Sequence, residues 1–161
     1  MIILGIDPGT ARMGYSILDI SKGKKARLVH TDVVITPKEH LMQDRLRFLY
    51  RALKDVSQKY VPDIMVIERL FFNMNAKTAI HVGQARGIAL LVAADKKMQV
   101  FEYTALEAKQ VLTGYGRADK KAVQSAVKDY LKLDDIVKSD DANDAVAIAL
   151  CFVNKGYPTL L

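Results

Sequence analysis

The chain has 161 residues, half of them hydrophobic, which fits one domain with an ordinary globular core and excludes a disordered or fibrous protein. Lys and Arg number 24 against 18 Asp and Glu, giving a net charge of +6 and a pI near 9.4, a balance that suits a polyanionic partner without identifying one. The single cysteine, Cys151, excludes an internal disulfide and reads as a buried filler, and His30, His40 and His81 lack zinc-like spacing.

In chain order, residues 2–7 (Ile2 to Asp7) read as a short buried strand and Gly14 to Asp19 as a second, with Pro8, Gly9 and Gly14 supplying turn chemistry between them. Ser21 to Lys25 reads as a polar hairpin loop, and Arg27 to Ile35 returns as a third strand. A helix of about twenty residues follows Pro37, its apolar positions Leu41, Leu46, Leu49, Leu53 and Val56 at helical spacing. Pro62 breaks it, and Ile64 to Glu68 reads as a central fourth strand because nearly every residue is apolar. A long helix over Asn75 to Ala94 carries Gly83 and Gly87, which predict close packing against a neighbour. Gln99 to Tyr103 is a fifth strand. Thr104, with Glu107 three residues on, predicts a capping box for a helix reaching Leu112. Gly114 and Gly116 predict a flexible connector, and helices over Asp119 to Leu131 and Asp141 to Val153 complete one mixed α/β domain over residues 1–161 with an antiparallel opening meander.

Four acids stand where a carboxylate has no folding role. Asp7 and Glu68 end apolar strands, where burial is costly unless a cation meets the charge. Ligands of open α/β sheets gather at such carboxyl ends. Asp141 and Asp144 are three apart on a helix and share one face, and Ala142, Ala145, Ala147 and Ala149 predict that this helix lies close against the sheet. Four close carboxylates repel one another unless cations join them, and oxygen-only ligation selects hard ions such as Mg²⁺ or Mn²⁺. Two such ions suit in-line phosphoryl transfer. Each residue also has a plainer reading: Asp7 as the start of an Asp-Pro-Gly turn, Glu68 as an ion-pair partner of Arg69, and Asp140, Asp141 and Asp144 as acids favoured by a helix dipole.

The run Ile3-Leu4-Gly5-Ile6-Asp7-Pro8-Gly9-Thr10, followed by Gly14-Tyr15, resembles the opening of RuvC-type Holliday-junction resolvases. So do Ile67-Glu68 with Phe71 and Asn75, Gly83-Gln84-Ala85-Arg86-Gly87, and Val100-Phe101-Glu102-Tyr103. Further on, Lys109-Gln110 leads to Gly114-Tyr115-Gly116, then Asp119-Lys120-Lys121 with Val123-Gln124, and Asp141-Ala142-Asn143-Asp144-Ala145 closes the series in family order. The resemblance implies a ribonuclease-H-like fold, a five-stranded mixed sheet flanked by helices, and a homodimeric endonuclease acting on four-way DNA junctions in recombination and repair. It implies that Asp7, Glu68, Asp141 and Asp144 are catalytic and bind Mg²⁺, two ions per site with Mn²⁺ as substitute; Asp140 is an extra acid beside them.

The resemblance supports Lys109 and Lys120 as DNA contacts, with Arg117 and Lys121 placed by sequence to meet phosphates around the glycine connector. It makes Phe71 a candidate wedge against unstacked bases, with Phe72 packing inward. The helix bearing Gly83 and Gly87 is the candidate dimer interface, and a branch-migration motor is implied as a partner by family alone. Rival readings are a non-cutting junction-binding module and an actin-like ATPase-type phosphate-binding domain, whose first phosphate loop Asp7-Pro8-Gly9-Thr10 also resembles but which needs a second domain. With no apolar run long enough to span a membrane and no basic leader before the first strand, a cytoplasmic protein is expected.

Overall fold

A computed structural model describes residues 1–20, 25–69 and 76–155. The elements are β1 (Ile2–Asp7), β2 (Arg12–Ile20), β3 (Ala26–Ile35), α1 (Met42–Tyr60), β4 (Ile64–Glu68), α2 (Ala76–Asp95), β5 (Gln99–Tyr103), α3 (Ala105–Thr113), α4 (Lys120–Leu131) and α5 (Asp140–Lys155). They form a five-stranded sheet in the order β3-β2-β1-β4-β5. β1 to β3 are the expected antiparallel meander, and β4 and β5 add in parallel. This is the ribonuclease-H-like arrangement, with β1 and β4 side by side at the centre.

Side-chain alternation along the strands decides where each acid emerges. Leu4, Ile6, Met65 and Ile67 pack against α1 and α2 on one face. Ile3, Ile64 and Val66 pack with α3, α4 and α5 on the other. Asp7 continues the odd-numbered set of β1 and Glu68 the even-numbered set of β4, so both carboxylates leave the sheet on the α5 side.

α5 lies almost on the strands, and two glycines permit it. A Cβ at Gly5 would collide with the Ala145 carbonyl, and one at Gly14 with the Asp141 carbonyl. The sheet also grips the helix backbone: Ser16 Oγ donates to Ala145 O at 2.8 Å and Thr31 Oγ1 to Ala142 O at 3.3 Å. The alanine stripe thus packs as its composition predicts, whereas Gly14 does not serve a turn. It sits inside β2, paired with Asp7, because Arg12 already bonds across to Ile35 on β3 and starts the strand two residues early.

Elsewhere the expected boundaries shift little. The capping box of α3 is present, with Glu107 N–H donating to Thr104 Oγ1 at 3.1 Å and Thr104 N–H to Glu107 Oε2 at 2.8 Å. Cys151 is fully buried. Leu41, assigned to the apolar face of the first helix, instead precedes it and is exposed. Among the described residues Gly87 has open space where a Cβ would stand, so it packs closely against none of them there. The Gly114–Gly116 connector is braced, not flexible, by hydrogen bonds from Gln110. Most of the expected Ser21–Lys25 hairpin, with Phe71, Phe72 and Asn75, lies outside the described residues.

Gly14→Ala tests the close approach of α5. Its methyl group must push the first turn of the helix outward at a cost of about 1–3 kcal/mol. Thermal unfolding is expected to drop by roughly 2–4 °C for each kcal/mol lost.

Candidate active site

Asp7 follows Ile6 in β1, which pairs with Ile67 in β4, so Glu68 is its neighbour in the ladder. The two side chains share a hydrogen bond. α5 brings Asp144 and Asp141 against them from above, and the charge of each bears on Asp7. Burial comes first in raising the Asp7 carboxyl, followed by the charges of Glu68 and Asp144, and the group is pushed up to about 8. Glu68 is also raised, chiefly by burial, although its hydrogen bond with Asp7 and the nearby Lys109 pull the other way. Asp144 is raised by burial against the opposing pull of Lys120 and Lys109.

Glu68 and Asp144 face an open cavity of about 100 Å³, lined also by Asp140, Asn143, Lys109 and Lys120, among others. Lys109 comes from α3, and Lys120 from the first turn of α4, held there by the Asp119 cap on Ala122 N–H at 2.8 Å. Lys120 Nζ lies 2.6 Å from Asp140 Oδ2. Asp141 turns outward to Arg12, whose Nε is 2.6 Å from its Oδ2. Arg117 and Lys121 are exposed and stand outside the cavity lining. The site therefore gathers Asp7, Glu68, Asp144, Lys109 and Lys120, keeps Asp141 at its edge, and leaves Arg117 and Lys121 on the flank.

The family profile of crossover junction endodeoxyribonuclease RuvC matches residues 3–152. This chain belongs to the RuvC family. It is 45% identical over 154 residues to the enzyme of that name from Halothermothrix orenii, covering 96% of this chain and 93% of the relative. The Alkaliphilus oremlandii enzyme is 46% identical over 156 residues, covering 97% and 94%. Among solved structures, T. thermophilus RuvC in complex with a Holliday junction substrate superposes with a TM-score of 0.89 at 30% identity, over 96% of this chain and 94% of that one.

The donor chemistry of this RuvC site fits a hard divalent ion. Every acid that bears on Asp7 offers only oxygen, and Asn143, in the same cavity lining, adds a carboxamide Oδ1 that is buried with no hydrogen-bond partner among the described residues. Among the described residues, no three acidic, histidine or cysteine side chains stand close enough to cage an ion as they are. Like-charged carboxylates hold apart unless a cation or a proton joins them. Here Asp7 and Glu68 share a hydrogen bond and Asp141 leans on a guanidinium.

Two supporting arginines escape a reading centred on acids. Arg12 precedes Met13 in the second strand, and nothing in its local pattern announces a partner 129 residues away. Arg86 donates to the Glu68 backbone carbonyl at 3.0 Å and pairs with Glu102, fixing the end of β4. A cation between Ala85 and Gly87, facing a glutamate on β5, was the available signal for that contact.

A carboxyl whose folded pKa lies above the ordinary 3.8 contributes stability that is complete below about pH 4 and is lost as pH rises through about 8. In EDTA, the unfolding free energy of the wild-type chain, measured by urea titration, is expected to fall across that window, by up to ~1.4 kcal/mol per pH unit for the one proton. Asp7→Asn is expected to flatten the slope and to be the more stable chain at pH 8.

Proposed function

We propose that this chain resolves four-way DNA junctions as a homodimer, through two symmetric Mg²⁺-dependent cuts carried out by Asp7, Glu68, Asp141 and Asp144 of each protomer. What carries the reading is the burial-raised Asp7, crowded by Glu68 and Asp144 at the open end of the central strands and faced by Lys109 and Lys120. RuvC membership brings endonuclease activity and divalent-metal dependence with it and disfavours both a non-cutting binding module and an ATPase-type domain. The whole chain, residues 1–161, forms one nuclease domain in this reading.

Bound at the four acids, two Mg²⁺ ions (or Mn²⁺) supply charge neutralisation and activation of water for in-line attack on a phosphodiester. The protein residues do the rest. Asp7 and Glu68, fixed at the ends of paired central strands, keep their oxygens in register. Arg86 anchors the Glu68 backbone from behind. Lys109 and Lys120 meet the phosphate oxygens, Lys120 by moving from Asp140 onto the strand. Arg117 and Lys121 extend the basic track outward, and Phe71, just beyond β4, wedges the junction open.

A two-fold dimer gives two like sites for two strands of like polarity. Ile80, Gln84, Gly87 and Leu91 form one exposed stripe of α2; Ile80 and Leu91 are 61% and 51% exposed. The open space at Gly87 lets a second helix approach closely. A cytoplasmic location and handover from a branch-migration motor complete the reading. Among the described residues, no helix is long and apolar enough to cross a membrane.

Incubation of the purified chain with a synthetic four-way junction and Mg²⁺ is expected to yield paired nicks placed symmetrically about the crossover. Asp7→Asn is expected to bind the junction and leave it uncut; substantial residual cutting would reject the assignment of Asp7. Leu91→Arg is expected to convert the dimer to monomer in sedimentation and to uncouple the two nicks. A variant that stays dimeric moves the interface off α2.

A further inference from the structure

The segment between the two lysine-bearing helices is built to hold one aromatic ring outward. The chain leaves α3 through Gly114, whose φ of 75° turns it back along the helix. Gln110 grips the returning segment twice, its Nε2 donating to Gly114 O at 2.8 Å and its Oε1 accepting from Gly116 N–H at 3.0 Å. Thr113 Oγ1 accepts from Tyr115 N–H at 3.1 Å, and Ala118 N–H donates to Tyr115 O at 3.0 Å. Gly116 is pressed so close to Leu106 that a Cβ there would come within 3.1 Å of its Cγ.

Both backbone groups of Tyr115 are therefore fixed. Its side chain is nonetheless 61% exposed and makes no hydrogen bond or ring contact with the described residues. Cations flank it along the chain: Arg117 is exposed two residues on, and Lys109 and Lys120, on the helices either side, both line the cavity. Presenting an exposed ring on a fixed backbone returns nothing to folding. Such a ring flanked by cations is instead suited to stacking on nucleic-acid bases, with the backbone's ordering cost met in advance.

We propose that Tyr115 is a DNA-contacting residue whose ring stacks on a splayed base of the strand that Lys109 and Lys120 bring to the cavity, and that this contact biases which sequence is cut. The inference rests on the junction-nuclease reading above. Stacking is sequence-tolerant in strength but unequal between bases, so it shifts cleavage preference without hydrogen-bond readout.

The test uses the full chain as wild type, Tyr115→Ala, Tyr115→Phe and Gln110→Ala, with four-way junctions randomised in sequence at the crossover. Binding is measured in EDTA over a salt series, and cut sites are sequenced after Mg²⁺ is added. Tyr115→Ala is expected to bind about tenfold more weakly, with an unchanged salt slope, an unchanged melting temperature and a flattened cut-site preference. Tyr115→Phe is expected to match wild type and Gln110→Ala to fall between. Lys120→Ala, by contrast, is expected to reduce the salt slope. The proposal is overturned by wild-type affinity and preference in Tyr115→Ala, by a Phe variant as defective as Ala, or by a fall in melting temperature that accompanies the loss. A wild-type chain that leaves four-way junctions uncut withdraws the junction reading along with this one.

Discussion

The contact that organises this molecule is the seating of α5 on β1 and β2. Helices usually stand off a sheet by the depth of a side-chain layer; here Gly5 and Gly14 remove that layer at two points, and alanines remove it from the helix. Hydroxyls of Ser16 and Thr31 then reach the helix carbonyls directly. The first turn of α5 consequently lies beside the end of β1, and Asp141 and Asp144 stand near Asp7 only because of that.

Charge placement follows from the same contact. Burying Asp7 among other acids is unfavourable for its ionised form, and the fold tolerates this because a proton resides there when no cation does. Cations are stationed close by, on elements that are themselves firmly set. Arg86 is held by Glu102 and reaches the Glu68 backbone, and Lys120 leaves a capped helix start. Arg12 begins a strand bonded on both sides. The acids are thus anchored through their backbones while burial disfavours the charged forms of Asp7, Glu68 and Asp144, a combination suited to binding a hard ion.

Much of this was legible in the sequence because it is local. Apolar runs ending in Asp7 and Glu68, the Thr104–Glu107 capping box and the alanine stripe each declare themselves within a few residues. The order of all ten elements could be read in the same way. What escaped was long-range or ambiguous. Gly14 looks like turn chemistry until its cross-strand partner and the helix above it are known. Arg12 and Asp141 sit 129 residues apart, and no periodicity links them. The connector looked loose because glycines usually mean freedom, yet the amide of Gln110 cancels that freedom from one turn away. Among the described residues Gly87 meets open space, which leaves room for a neighbour from outside the chain.

The ion pairs on the first turn of α5 bear on how the protein discriminates among polyanions. Lys120, in the cavity lining, rests on Asp140, and Arg12, at the edge of the site, rests on Asp141, so both cations already face a carboxylate before any nucleic acid arrives. A cation beside a carboxylate exerts little net pull at a distance, because the partner charge offsets it and salt screens the remainder. Ordinary duplex passing at that range meets a muted rim, and only a strand bent deep enough to compete with those carboxylates recovers the full attraction. Such pairing would favour distorted substrates through the resting electrostatics, ahead of any shape-reading contact.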